Sequence, residues 1–144
     1  MQAFQSENTV PRWVEAISAA LYATRKLPQV DPKRTLIIGH SEGALIAALL
    51  AKKHGFVTHV ASLAGTGPPL KFELERKALE GKLYPEMAND SAGQLRKLKQ
   101  DFAAIRSDPS STTKVAIGHT HVYWSGRLEL SAMEILSGSK AKVF

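Results

Sequence analysis

Seventeen consecutive residues constrain the fold of this chain more than any other part of it. The apolar run Thr35-Leu36-Ile37-Ile38 leads into Gly39-His40-Ser41-Glu42-Gly43, and eight apolar residues, 44–51, follow without interruption. A short apolar run bounded by glycine reads as a buried strand, and a longer run without polar punctuation reads as a helix buried on most sides. Lys52-Lys53-His54-Gly55 closes that helix. Cations suit the negative end of its dipole, and Gly55 is expected to take the left-handed position after it. A second apolar run, 56–64, then reads as another buried strand. Strand, helix and strand at this spacing form a βαβ unit, whose strands must be parallel and covered on both faces. The fold class expected is therefore α/β.

The rest of the chain fits that frame. Val10, Trp13, Val14, Ile17, Ala20, Leu21 and Leu27 fall near helical spacing over residues 9–27, with Asn8 or Thr9 as N-cap, Pro11 in the first turn and Pro28 as the stop. Two charged amphipathic helices are expected at 72–79 and 91–105. In the second, Leu95, Leu98, Phe102 and Ile105 recur every three or four residues. A polar break at 108–113 precedes a strand at 114–117, a short helix at 130–136 and a β-run at 141–144. No internal repeat divides the chain, which reads as one domain.

Composition excludes several classes. The 144 residues are 44% hydrophobic and contain no cysteine, so disulfides, thiol nucleophiles and cysteine-bound metals are ruled out. No run approaches a membrane span in length. The N-terminal residues 1–7 lack the basic and apolar regions of a secretory signal, which favours the cytoplasm. Net charge is +6, yet the cations, as in Arg96-Lys97-Leu98-Lys99, alternate with apolar residues and read as solvated helix faces. No nucleic-acid partner is expected.

The pentapeptide G-x-S-x-G, placed between strand and helix, is the setting of a serine nucleophile. The hydroxyl must be thrust out on a sharp turn, and the flanking glycines make room for it. Ser41 is the candidate nucleophile, and the backbone N–H of Glu42, the residue after it, is one candidate oxyanion donor. The loop Gly65-Thr66-Gly67-Pro68-Pro69, at the carboxyl end of the second strand, is where open α/β sheets place ligands. A serine needs a base, oriented by an acid. Inside the chain, Ser41, then Asp101 or Asp108, then His119 or His121 satisfies the order Ser, Asp, His. Asp101 falls mid-helix, however, and Asp108 follows no strand. His119 and His121 read as polar residues near a cleft mouth or the surface. As a pair on one strand face they would offer two imidazoles but no third metal ligand. His40 is expected to pack or hydrogen-bond at the turn, His54 and His59 have no evident role, and Trp13, Tyr123 and Trp124 read as core or lid aromatics.

Residues 35–50 resemble the nucleophile elbow of the α/β-hydrolase fold. More narrowly, Ile38-Gly39-His40-Ser41-Glu42-Gly43, with Tyr123-Trp124 before a helix and a strand, is similar to bacterial serine hydrolases of the prolyl-oligopeptidase and dienelactone-hydrolase-like branch, which includes carboxylesterases. Residues 9–144 would correspond to the middle of such a protein. The resemblance implies a partial α/β-hydrolase fold with a mostly parallel sheet and a helical lid insertion at about 71–125. It implies a small-molecule acyl substrate and no cofactor or metal. It also places further strands and the second oxyanion loop upstream, and the triad acid and histidine beyond Phe144, so that the 144 residues alone would turn over little. The alternative is a non-catalytic α/β domain that keeps the elbow shape and binds through residues 65–69.

Overall fold

The computed structural model describes residues 6–65 and 67–144. Residues 1–5, part of the segment read for a signal, and Thr66, part of the candidate ligand loop, lie outside the described residues. In chain order the elements are α1 (Val10–Thr24), β1 (Leu36–His40), α2 (Glu42–Lys53), β2 (His59–Leu63), α3 (Leu70–Leu79), a 3-10 turn (Pro85–Met87), α4 (Ser91–Ser107), β3 (Val115–Ala116), β4 (His119–Thr120), α5 (His121–Ser125), α6 (Ala132–Ser137) and β5 (Lys142–Val143). The chain is mixed α/β, and its main sheet is small and parallel. It packs as two units. Among the described residues, one is Val10–Pro68 with Leu130–Phe144, and the other is Pro69–Glu129 with residues 6–9.

In the first unit the sheet order is β1-β2-β5. Leu36 pairs with His59 and His40 with Leu63, while His59 and Val60 pair with Lys142 and Val143. The near-continuous apolarity of α2 has a direct cause, because the helix is buried from three directions. Ile46 and Leu50 meet Val10 and Val14 of α1, Ala47 and Ala51 meet Val57 and Val60 on the sheet side, and Ala48 meets Ala132 and Ile135 of α6. The small alanines let the sheet and α6 approach the helix closely, while the larger side chains fill the space toward α1.

The end of α2 departs from the expected form. Gly55 does not adopt a positive φ; the helix closes instead on His54 in an extended conformation (φ −120°), whose N–H donates to Leu50 O at 2.9 Å. The His54 imidazole is then buried against α1. Ser18 Oγ donates to Val14 O at 2.6 Å, so toward His54 Nε2, 2.7 Å away, it can only accept. The proton therefore sits on Nε2, and Nδ1 accepts from Tyr22 Oη at 3.3 Å. Phe56, expected in the second strand, lies before it and stacks on the imidazole at 5.1 Å.

Burial, and next the charge of Lys53, push the His54 imidazole below its ordinary pKa. The fold thus favours the neutral form. Its contribution to stability is complete above the unfolded imidazole pKa of about 6.5 and is lost as pH falls from there toward the lower folded value. The urea midpoint of the wild type is expected to drop more steeply between pH about 7.5 and about 5.5 than that of His54→Gln. Parallel pH dependences would show that His54 does not carry the effect.

The second unit is helical, and its core joins Leu74 and Ala78 of α3 to Leu98, Phe102 and Ile105 of α4, with Tyr84, Trp124 and Leu128. Asp90 caps α4 by accepting from the Gly93 N–H at 2.7 Å. Gln94, fully buried, holds the approach to α4. Its Oε1 accepts from the N–H groups of Leu83 and Tyr84, and its Nε2 donates to the carbonyls of Tyr84 and Met87. β3 and β4 form an antiparallel hairpin whose two connecting residues, Ile117 and Gly118, both have positive φ (48° and 77°), as the tightest hairpin turns require.

Candidate active site

Ser41 stands between the last residue of β1 and the first of α2, at φ 53° and ψ −120°. This lies outside the regions open to side-chain-bearing residues and costs on the order of 1–3 kcal/mol. The surroundings impose it. The Ser41 N–H continues the ladder by donating to Leu63 O at 2.8 Å, while its carbonyl already accepts from the Ala44 N–H at 3.0 Å in the first turn of α2. One residue thus ends a strand and begins a helix.

Two glycines make the turn possible, and they are not the expected pair. A Cβ on Gly39 would lie 2.2 Å from Gly43 O and 2.7 Å from Ala44 Cα. A Cβ on Gly43 would meet nothing within 4 Å, so that position is open. The second indispensable glycine is Gly65, just after β2, where a Cβ would come within 2.3 Å of Ala44 Cβ and 3.4 Å of Ser41 O. Its neighbour Ala64 also has a positive φ, 50°. The start of α2 is therefore wedged between Gly39 and Gly65.

The hydroxyl gains nothing structural from this position. Serine at a helix N-cap ordinarily accepts a hydrogen bond from a first-turn N–H, but Ser41 makes no such cap and its side chain is exposed. Glu42 is the first residue of α2, so its N–H belongs to the positive end of the helix dipole beside Ser41. His40 is exposed rather than packed into the turn. Ser41→Gly should relieve the backbone strain at a smaller entropic cost, a net gain of about 1 kcal/mol. A lower melting temperature for that variant would contradict a strained Ser41.

The chain's own candidate acids and imidazoles all belong to the other unit, and there they are committed elsewhere. Asp101 accepts from Tyr84 Oη at 2.6 Å and from Lys97 at 3.0 Å; burial, together with that carboxylate, pushes the Tyr84 phenol well above its usual range. Asp108 pairs with Lys114 at 2.8 Å, which holds its carboxyl below the usual value. His121 is buried, not superficial, and its Nδ1 lies 3.1 Å from the main-chain oxygen of Asp108. His119 stacks on Tyr123 at 4.0 Å. His119 lies in β4 while His121 begins α5, so they do not share a strand face. Of the aromatics, Trp124 is core, donating Nε1–H to Ala116 O, whereas Trp13 is a little under half exposed.

Among the described residues no group of three or more His, Asp or Glu side chains is placed to hold a metal ion, and no helix is long and apolar enough to cross a membrane. Comparisons with protein-family models, with curated proteins and with solved structures found no match to the chain.

Proposed function

We propose that this chain carries the nucleophile of a serine hydrolase of the α/β-hydrolase type, acting on an ester, thioester or amide through an acyl-enzyme on Ser41. One observation carries the reading: an exposed serine is held in a costly backbone conformation, and its hydroxyl is not used in the helix cap it occupies. Strain that the local structure does not use is a mark of functional turns.

In the proposed reaction Ser41 Oγ attacks the acyl carbon and its proton passes to a base. The tetrahedral oxyanion is met by the Glu42 N–H, and the alcohol, thiol or amine departs with the proton. Water then cleaves the acyl-serine, giving the carboxylic acid and restoring the hydroxyl. The base and its acid are assigned to residues beyond the 144, in keeping with the commitments of Asp101, Asp108, His119 and His121 within their own unit. The order β1-β2-β5, all parallel with Ser41 at a carboxyl end, suits such a domain.

The test treats the product of the full open reading frame with a fluorophosphonate probe and locates the adduct by mass spectrometry. Labelling of Ser41 in the wild type and its loss in Ser41→Ala are expected. A folded protein that takes up no probe, or takes it up on another serine, would remove Ser41 from the role of nucleophile.

A further inference from the structure

The net charge of the chain is unevenly shared. Of 19 basic and 13 acidic residues, the unit containing Pro69–Glu129 holds ten and nine, so the unit containing β1 and Ser41 holds nine basic against four acidic. In that second group the cations gather at one end. Val10 and Val14 pack with Ile46 and Leu50, and Ser18 reaches His54, so α1 and α2 run side by side in the same direction; α1 continues past the end of α2, where Tyr22 and Arg25 meet Phe56. Arg25 and Lys26 follow α1 there, and Lys52 and Lys53 close α2.

The strands begin at that same end. Thr58 N–H donates to Thr35 O and Lys142 N–H to Thr58 O, which aligns the segments entering β1, β2 and β5. Lys33, Arg34, Lys140 and Lys142 are carried on them, all exposed. Against these eight cations stands one carboxylate, Asp31, which Arg34 holds at 2.7 Å. Glu15, Glu42 and Glu134 lie in the amino-terminal halves of their helices, away from this end. Tyr22, Leu27 and Leu36 are exposed among the cations.

We propose that this basic end of the unit docks on an anionic lipid bilayer. Lysines beside an anionic leaflet each strengthen attachment roughly fivefold, and exposed aliphatic and aromatic groups among them can enter the headgroup boundary. Nucleic acid is a poorer fit. The arginines, which grip phosphates with two donors, are engaged here, Arg25 over the Phe56 ring at 3.8 Å and Arg34 with Asp31. What remains is diffuse lysine charge and bare leucines, for which a phosphodiester backbone has no use. Ser41 lies about 17 Å away along β1, so docking and serine reactivity are separable.

The test measures co-sedimentation of the full chain with phosphatidylcholine vesicles and with vesicles containing about 30% phosphatidylserine, at about 0.1 M salt. Binding at least about tenfold stronger to the anionic vesicles is expected. Lys52→Glu/Lys142→Glu should lose that preference, while Lys99→Glu/Arg106→Glu, the same charge change in the other unit, should keep it. Leu27→Ser/Leu36→Ser should weaken binding several-fold at unchanged charge. Equal sedimentation with both vesicle types would overturn the proposal, as would equal losses from the two charge-reversal variants. Tighter binding to an oligonucleotide than to vesicles of matched phosphate content would overturn it in favour of nucleic acid. Should the charge-reversal protein not fold, the wild-type lipid preference and the leucine variant still decide.

Discussion

Gly39→Ala is expected to cost at least about 3 kcal/mol, at the upper end of what one added methyl does to a packed interior. The reason is what the methyl would strike. Its three nearest atoms, at 2.2, 2.5 and 2.7 Å, are all backbone, from Gly43 and Ala44. A flexible side chain could swing aside, but the first turn of α2 can move only by breaking the Ala44 N–H to Ser41 O bond that anchors the helix. The helix itself has nowhere to go, since α1, the sheet side and α6 all press on it. Urea unfolding measures the loss. A cost under about 1 kcal/mol would mean that the turn is looser than its geometry indicates. If the protein still folds, the displaced hydroxyl should also react with the fluorophosphonate at least about a hundredfold more slowly, because a shift of about 1 Å in a reacting group is enough for that. Gly43→Ala is the natural control, since a Cβ there meets nothing within 4 Å.

The contrast between these two glycines shows where reading the sequence stops. The G-x-S-x-G pattern marks both as equal, and nothing local distinguishes them. The difference arises from the path of α2 after the turn, which brings Gly43 O back over Gly39. Gly65 was legible as a loop glycine but not as part of the turn, because its partner Ala44 is set by the pairing of β1 with β2. The strand-helix-strand order and the two amphipathic helices of the second unit were readable because periodicity is a local property. Ser18 and His54, by contrast, are 36 residues apart and have no pattern that connects them. The same holds for Gln94, a polar residue on a helix that looks solvated until the main-chain groups of Leu83, Tyr84 and Met87 are seen around it. His121 reads as superficial because a lone imidazole carries no sign of burial in sequence, and it is buried because the segment turns from β4 into α5 there.

Leu50→Ala is expected to lower stability by about 3–5 kcal/mol, toward the top of the range for a leucine removed from a closed interior. Leu50 has no exposed surface and fills the space between α2 and the Val10–Val14 face of α1. The void cannot readily collapse, because α2 is also fixed by the alanines that bring the sheet and α6 against it. The effect should also be local in a way that can be measured. Val14 and Ser18 lie one turn apart on α1, and His54, one turn beyond Leu50, holds Ser18. Loosening the contact at Leu50 should therefore raise hydrogen exchange along α1 before it does so along β1 and β2, whose pairing does not involve Leu50. Leu50→Met, which keeps the volume, should cost less than about 1.5 kcal/mol and leave exchange in α1 near the wild-type rate. A uniform rise in exchange across α1, β1 and β2 in Leu50→Ala would instead mean that the unit opens only as a whole, with α1 no less secure than the sheet.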